Sequence, residues 1–337
     1  MKETISVCII AYNEEKYLPN LFNDIIRQDY THSMIEVVLV NCMSTDCTEE
    51  IMYSFMRGNK DFHSVKVLNN SKKIQAAGWN IALKAALGDV VVRIDAHAKL
   101  PPNFVTNVMK TIHSGELVVG GVRPCIIESK TNWARVLLET ENSLFGSSPN
   151  KVRRSFRKAY VKTMFHPAYS REVITKVGLF NENLFRTEDN EYHYRIRQAG
   201  FKLCYNPEII SYQYSRPSLR KMVIQKFQNG LWIGKTIKIC HKCISLYHLV
   251  PLGFVIAIVI SSSLLFVGLW KFSVSLWIAY FIFCFLGFIL SVINDGFCIH
   301  KLLMPFLFLI LHISYGLGSF IGLFLEYNDL KSKSHCK

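Results

Sequence analysis

Three long apolar runs close this chain, over residues 247–270, 274–293 and 302–325. Each is long enough for a helix to cross a bilayer, which takes about 20 predominantly apolar residues. Backbone in hydrocarbon must satisfy its own hydrogen bonds, so helices are the expected form. Lys271 separates the first two runs, and Asp295, His300 and Lys301 separate the second and third. Trp270, Trp277, Tyr280 and Tyr327 stand at or near the run edges, as an aromatic belt does. One of the runs is alternatively re-entrant or interfacial. Just upstream, Met222, Ile224, Phe227, Leu231, Trp232 and Ile233 mix with Arg220, Lys221, Lys226, Lys235 and Lys238. Such a basic amphipathic segment suits a membrane interface, or else packs on the domain as a solvated helix. The expected organisation is a globular domain over 1–215, a basic interfacial segment over 216–245, a transmembrane region over 246–326 and a tail over 327–337. Basic residues ahead of the first run favour a multi-pass protein of the cell membrane whose globular domain is cytoplasmic. In the tail, Lys331, Lys333 and Lys337 stand against Glu326 and Asp329, which leaves the side of the chain's end undecided.

Before residue 245 the pattern is α/β. Ile5-Ser6-Val7-Cys8-Ile9-Ile10 reads as a buried strand, followed by a helix over 15–28 with Tyr17, Leu18, Leu21, Phe22 and Ile25 on its apolar face. Strands over 35–40, 65–68 and 90–95 alternate with helices over 49–56 and 73–86. Pro101-Pro102 is expected to start a helix to residue 113, with a strand over 117–121 and a helix over 132–145 following. Residues 146–158 read as a polar, basic loop. A helix opens at Glu188, and Gly200 leads into another strand. This alternation argues a mostly parallel, Rossmann-like sheet flanked by helices.

The formal net charge of +14 admits nucleic acid, anionic lipid or an anionic substrate as partner. The basic residues concentrate at 151–162 and 216–242, the latter beside the apolar runs, and no zinc finger, RNP motif or basic-plus-heptad region is present. A membrane face is therefore favoured over nucleic acid. The ten cysteines lack framework spacing, and Cys240-His241-Lys242-Cys243 has no second pair to complete a zinc site. Reduced thiols fit a cytosolic domain.

In an open α/β sheet, ligands bind at the carboxyl ends of the strands. There this chain places Tyr12-Asn13-Glu14, Asn41 with Ser44-Thr45-Asp46, and Asp95-Ala96-His97. Asp95 and His97 can hold a divalent cation through oxygen and nitrogen, and the cation can hold a diphosphate. Read plainly, the same residues are caps and turn formers. No G-x-G-x-x-G follows the first strand and no P-loop is present. In Glu188-Asp189-Asn190-Glu191 the acidic residues favour a helix N-terminus, or one of them is a general base for an acceptor hydroxyl.

Five motifs now stand in order: Ile9-Ile10-Ala11-Tyr12-Asn13-Glu14-Glu15, Ser44-Thr45-Asp46-Cys47-Thr48, Gln75-Ala76-Ala77-Gly78-Trp79-Asn80 with Gly88-Asp89, Asp95-Ala96-His97, and Thr187-Glu188-Asp189. With them the chain resembles family 2 glycosyltransferases, which have the GT-A fold, over about residues 4–235. The C-terminal spans, with Ala98 and a proline pair after Asp-Ala-His, look most like the branch of succinoglycan-type membrane-bound exopolysaccharide transferases. The resemblance implies an inverting transfer from a nucleotide-sugar donor, expected to be a UDP-sugar. It implies Asp95 and His97 on Mg²⁺ or Mn²⁺, Asp189 as the base, and Ala11, Tyr12, Glu14, Asn41 and Asp46 around the nucleotide. Lys73 is expected to help with the nucleotide and Gln225 to cover the diphosphate. The implied acceptor is a lipid-linked saccharide on a polyprenyl diphosphate, met by His166 and the group Arg153, Arg154 and Arg157, and the product an intermediate of exopolysaccharide, capsule or surface glycan.

The chain also departs from that pattern. Asn41 stands where an aspartate usually faces the base, and His97 where the second aspartate of Asp-x-Asp stands. Gln225-Lys226-Phe227-Gln228-Asn229 keeps only the glutamine of the processive enzymes' Gln-x-x-Arg-Trp, so a single addition is expected. Two other classes stay open: a non-catalytic membrane module with a degenerate nucleotide-sugar site, and a nucleotidyltransferase, for which the loop after strand one lacks the glycines.

Overall fold

Strands made of valine and isoleucine on both faces must be covered on both faces. The computed structural model, which describes residues 3–128, 131–143, 145–146, 157–214 and 218–325, builds such a sheet from its first strands. β1 (Ile5–Ala11), α1 (Leu18–Ile26), β2 (Ile35–Asn41), α2 (Thr48–Gly58), β3 (Ser64–Asn69), α3 (Gln75–Ala85) and β4 (Val90–Asp95) alternate. Then come β5 (Ala98–Lys99), α4 (Phe104–His113), β6 (Val118–Val122), β7 (Cys125–Ile126), α5 (Asn132–Asn142), β8 (Ala159–Val161), β9 (Ala168–Ser170), α6 (Arg171–Val177), α7 (Glu188–Gln198), β10 (Leu203–Ile210) and β11 (Tyr212–Tyr214). The chain falls into two units, residues up to 125 with 157–214 in the first and 126–146 with 218–325 in the second, as far as they are described. Among the described residues the chain passes between them three times.

In the first unit eight strands lie in the order β3-β2-β1-β4-β9-β6-β10-β8. β1, β2, β3 and β4 are parallel, as expected. Beyond β4 the sheet is mixed, because the three-residue β9 runs antiparallel to both β4 and β6. Side chains alternate across β4: Val90, Val92 and Ile94 join a core with α1 and α4, and Val91 joins one with Trp79, Tyr169 and Tyr192. Arg93 and Asp95, two residues apart, share the face of Val91. Pro101-Pro102 precedes α4 by a turn instead of opening it, the N–H of Phe104 donating to the Pro101 carbonyl.

At the amino ends of the strands a buried carboxylate ties the layers together. Glu36 accepts from Ser6 Oγ at 2.5 Å, Leu87 N at 2.7 Å, Lys66 Nζ at 2.7 Å and Ser64 Oγ at 3.2 Å. Burial raises its pKa, but the Lys66, Ser6 and Leu87 donors outweigh it and the net shift is downward.

In the second unit, α8 (Leu219–Cys240) and the apolar helices α9 (Val250–Leu265), α10 (Trp270–Asp295) and α11 (Met304–Phe324) pack with α5. Three stretches, Leu246–Leu265, Trp270–Asp295 and Ile299–Phe324, are long and apolar enough to cross a membrane. Much of the amphipathic face of α8 is turned onto α11, where backbones touch through glycines. A Cβ on Gly230 would lie 2.0 Å from the Tyr315 carbonyl oxygen, and one on Gly322 2.1 Å from that of Leu231. Such small-residue seams let helices approach where hydrophobic driving force is weak. α5 is held by the Lys301–Glu139 pair at 2.7 Å, Ser291 Oγ donating to Glu139 at 2.6 Å, and Lys226–Glu141 at 3.3 Å.

Two outcomes follow. Glu36→Ala removes the acceptor shared by Ser6, Leu87, Ser64 and Lys66 and is expected to cost about 1–3 kcal/mol, read as a lowered unfolding midpoint. Because the folded-state pKa is depressed, the contribution of Glu36 is complete above its ordinary value of 4.5 and fades as pH falls through the folded value. A pH series of midpoints, shallower below 4.5 in Glu36→Gln, checks the sign. Gly230→Leu is expected to part α8 from α11 and lower the melting temperature in detergent. Gly253→Ala, where nothing lies within 4 Å of the added carbon, is expected to leave it unchanged.

Candidate active site

Parallel strands end together, so the loops after β1, β2 and β4 meet at one edge. The first two loops interlock. Asn13, at φ 55°, donates its N–H to Ser44 Oγ at 3.0 Å and accepts the Thr45 N–H at 2.8 Å. Glu14 N donates to Thr48 Oγ1 at 2.8 Å, and Glu15 accepts the Cys47 N–H at 3.0 Å. Asp46 caps the α2 entrance, accepting Thr48 N at 3.0 Å and Glu15 N at 3.3 Å. Burial alone would raise its carboxyl; the Thr48 side-chain and backbone donors hold it below the usual range. Ala11 is buried at the end of β1 and Tyr12 half-buried beside it.

Asn41 is buried, and its amide is used within the protein. Its oxygen accepts Ser44 N at 2.9 Å and its nitrogen donates to Asn69 Oδ1 at 3.3 Å. The asparagine thus shapes the loop expected to face a nucleobase, where a carboxylate could not donate to Asn69. Lys73 lies at φ 56° in the turn before α3. Gln225 is on α8, in the second unit. Arg157 is described; Arg153, Arg154 and Tyr327 lie outside the described residues, as does the tail over 327–337.

Asp95 is the convergence point. His166 Nε2 lies 3.2 Å from its Oδ2 and Arg123 Nη1 3.8 Å away. His166 is brought there by β9, which pairs antiparallel with β4 and starts at Ala168, Arg93 donating its N–H to the Pro167 carbonyl at 3.0 Å. Its Nδ1 meets Ser211 Oγ at 2.8 Å, whereas the buried Nε2 has no hydrogen-bond partner despite the nearby carboxylate. Arg123 follows β6 at the same edge, its guanidinium 3.5 Å from the Phe165 ring centroid. Burial raises the Asp95 carboxyl, but His166, His97 and Arg123 overwhelm it and hold the group far below the ordinary carboxylate range. Burial pushes the His166 imidazole down, and Asp95 opposes this.

This arrangement sets a second imidazole beside Asp95, in addition to the expected His97. His97 is engaged on both ring nitrogens, Nδ1 at 3.1 Å from Glu14 Oε1 and Nε2 accepting from Gln213 Nε2 at 2.8 Å. A neutral ring that accepts at Nε2 carries its proton on Nδ1, toward Glu14. The nitrogen left unpaired beside Asp95 belongs to His166. An ionised carboxylate and an orphaned buried imidazole nitrogen 3.2 Å apart fit a divalent cation, whose neighbouring ligands stand about 3 Å apart when each is about 2.1 Å from the ion. Among the described residues no group of three or more His, Cys, Asp or Glu has metal-binding geometry.

Asp189 is the second residue of α7, its carboxylate accepting the N–H of Asn190 at 2.8 Å. α7 starts abruptly from Thr187 at φ 66°, a left-handed conformation costly for a β-branched residue. Beneath Asp189, Glu188 is buried against Arg93, with Nη2 3.3 Å from Oε1. Burial and Asp189 push the Glu188 carboxyl up to about 7, Arg93 pulling the other way.

The comparisons with known proteins bear on this geometry. The family described as glycosyl transferase family 2 matches residues 6–178. The chain belongs to glycosyl transferase family 2. It is thus a glycosyltransferase, with a GT-A-like mixed sheet followed by three apolar helices. It is 28% identical to dolichyl N-acetyl-alpha-D-glucosaminyl phosphate 3-beta-D-2,3-diacetamido-2,3-dideoxy-beta-D-glucuronosyltransferase of Methanococcus voltae, over 78% of this chain and 83% of that one. It is 25% identical to the succinoglycan biosynthesis protein ExoA of Rhizobium meliloti, over 80% and 83%. In fold it is similar to a mannosyltransferase of Pyrobaculum calidifontis solved with GDP-Man and Mn²⁺, with a TM-score of 0.53 and 19% identity over 71% of this chain and 65% of that one.

Arg123, Gln213 and the position of His166 beside Asp95 were not foreseen. A strand run closing in Arg123-Pro124 signals an edge residue in the sequence; for Gln213, contributed by the three-residue β11, no local signal exists.

Asp46→Ala removes an acceptor from two backbone N–H groups. It is expected to lower stability by about 1 kcal/mol, as loss of a helix cap does, with unchanged far-UV circular dichroism and a lower urea midpoint.

Proposed function

We propose that the protein is a membrane-anchored inverting transferase that adds a single sugar from a UDP-sugar to a saccharide carried on polyprenyl diphosphate. The observation carrying this reading is the pairing, in one unit, of a strongly ionised Asp95 flanked by His166 and Arg123 with an acidic helix start at Asp189. The named activity of the Methanococcus relative, on a dolichyl-phosphate-linked sugar, supports a lipid-linked acceptor. That of the Rhizobium relative supports polysaccharide biosynthesis.

In the proposed reaction Asp189 accepts the proton of the acceptor hydroxyl as its oxygen attacks the anomeric carbon, on the side opposite the leaving UDP, so configuration inverts. Asp95 and His166, with His97 adjoining, would hold Mg²⁺ or Mn²⁺; the structural neighbour solved with Mn²⁺ supports this. Such an ion supplies Lewis-acid stabilisation of the leaving diphosphate. Arg123 adds fixed positive charge beside Asp95, where it costs no reorganisation. Ala11, Tyr12, Glu14, Asn41, Asp46 and Lys73 form the nucleotide side. In this reading the protein is a multi-pass protein of the cell membrane with its catalytic unit cytoplasmic, which the three long apolar helices support, and the product serves an exopolysaccharide, capsule or surface glycan.

The test uses membranes containing the protein, a panel of labelled UDP-sugars and a polyprenyl-diphosphate-sugar extract, with label counted in the lipid phase. Label from one donor is expected, abolished by EDTA and reduced about 10²–10⁴-fold in Asp189→Asn, the range of lost general-base catalysis. Undiminished label in that variant would remove Asp189 as the base. Absence of label with every donor from folded protein would point to a degenerate nucleotide-sugar-binding module.

A further inference from the structure

Arg93 breaks a rule of the core. It sits inside the central strand β4, only 6% exposed, its guanidinium carbon 4.2 Å from the Trp79 ring centroid and 4.5 Å from that of Phe180. Its one ion pair is with Glu188, which is 3% exposed, and its Nε and Nη1 have no hydrogen-bond partner. As a stabilising device this is poor. A buried pair made at 3.3 Å with two orphaned donors recovers little of its desolvation cost, and apolar replacements of such pairs are often neutral or better. Rule-breaking of this kind is expected where function requires it.

The connectivity says what the function is. Arg93 lies two residues before Asp95 on the same face of β4, and Glu188 immediately precedes Asp189 at the start of α7. Both Asp189 and Asp95 are close enough to act electrostatically on Arg93. The entry to the helix is strained, since Thr187 is left-handed at φ 66°. The acidic first turn favours a helix start in this neighbourhood, and the buried contact of Glu188 with Arg93 ties that turn to β4. The Tyr169 hydroxyl, 3.1 Å from Nε2 of the fully buried His193, holds the next turn of the same helix.

We propose that Arg93 is a positioning residue for transfer: through its buried ion pair with Glu188 it fixes the first turn of α7, and so holds the Asp189 carboxylate in register with the strand that carries Asp95. The inference rests on the reading of Asp189 as the base. The buried guanidinium bridges the strand delivering one functional carboxylate and the helix delivering the other.

The test compares Arg93→Met, Arg93→Lys, Glu188→Gln, the double variant Arg93→Met/Glu188→Leu and Asp189→Asn, each as the full chain in membranes, with the UDP-sugar found to give transfer. Arg93→Met and Glu188→Gln are each expected to lower kcat at least 30-fold while donor KM stays within threefold, and Arg93→Lys to recover part of the loss. The double variant is expected to melt at or above the wild-type temperature yet keep the kcat defect, a combination a merely structural role does not give. Hydrogen exchange in detergent is expected to quicken at residues 187–191 in Arg93→Met and stay unchanged in β1. If Arg93→Met does not accumulate, the isosteric Glu188→Gln carries the same kcat-against-KM reading. A wild-type kcat in Glu188→Gln and in the double variant, or activity restored in step with thermal stability, would overturn the proposal. Asp189→Asn separates the two readings: normal turnover there removes the base and this inference with it, whereas a dead Asp189→Asn beside normal Glu188→Gln removes only the role of Arg93.

Discussion

The antiparallel docking of β9 onto the end of the parallel strands is the constraint on which the site depends. A parallel strand must finish at the same edge as its neighbours, so β1, β2 and β4 can supply that edge only with the residues that follow them. A strand running the other way starts where they finish. Because Ala168 pairs with Val92, the residues entering β9 are set beside the residues leaving β4, and His166 meets Asp95. Shift that register by one and the buried imidazole leaves the carboxylate, since successive side chains in a strand point to opposite faces. β9 also bridges β4 to β6, which brings Arg123 to the same edge. The local charge field around Asp95 is thus a product of topology more than of any single motif.

Two buried charges show how one sheet separates stability from chemistry. Glu36, at the amino ends, receives four short hydrogen bonds from the surrounding strands and the α3–β4 turn. Arg93, near the carboxyl ends, receives one partner and two aromatic faces. Both are desolvated, but only the first is satisfied. The well-satisfied group lies away from the loops that carry the site, and the poorly satisfied one lies within two residues of Asp95.

The first four strands and their helices were legible because each rests on local patterning: β-branched runs, an apolar helical stripe, an acidic helix start. The interlocking of the turns after β1 and β2 was legible too, because those residues end adjacent parallel strands. The short strands were not. β5, β7, β9 and β11 are two or three residues long and too short to show a period, and their positions are set by partners far away in sequence. With them went the neighbours of Asp95, and the fact that His97 is committed to Glu14 and Gln213. The proline pair before α4 misled because a proline that can begin a helix also serves in the turn before one. The amphipathic pattern of α8 was visible; the glycine seam that turns it onto α11 reads in sequence only once the partner helix is known.

The excursion of α5 bears on how the protein can be divided. The chain leaves the first unit after residue 125, lends a helix to the second, and comes back before β8. Val136 and Leu137 of that helix are packed with Tyr280, Met304 and Phe308, and Glu139 is neutralised by Lys301. A single cut after β11 therefore does not separate the first unit from the second. The fragment ahead of such a cut would carry an orphaned helix with an apolar stripe and an unmatched acid in the middle of its own sequence. Separating the units requires excising two segments, one inside the sequence of the first unit and one after β11.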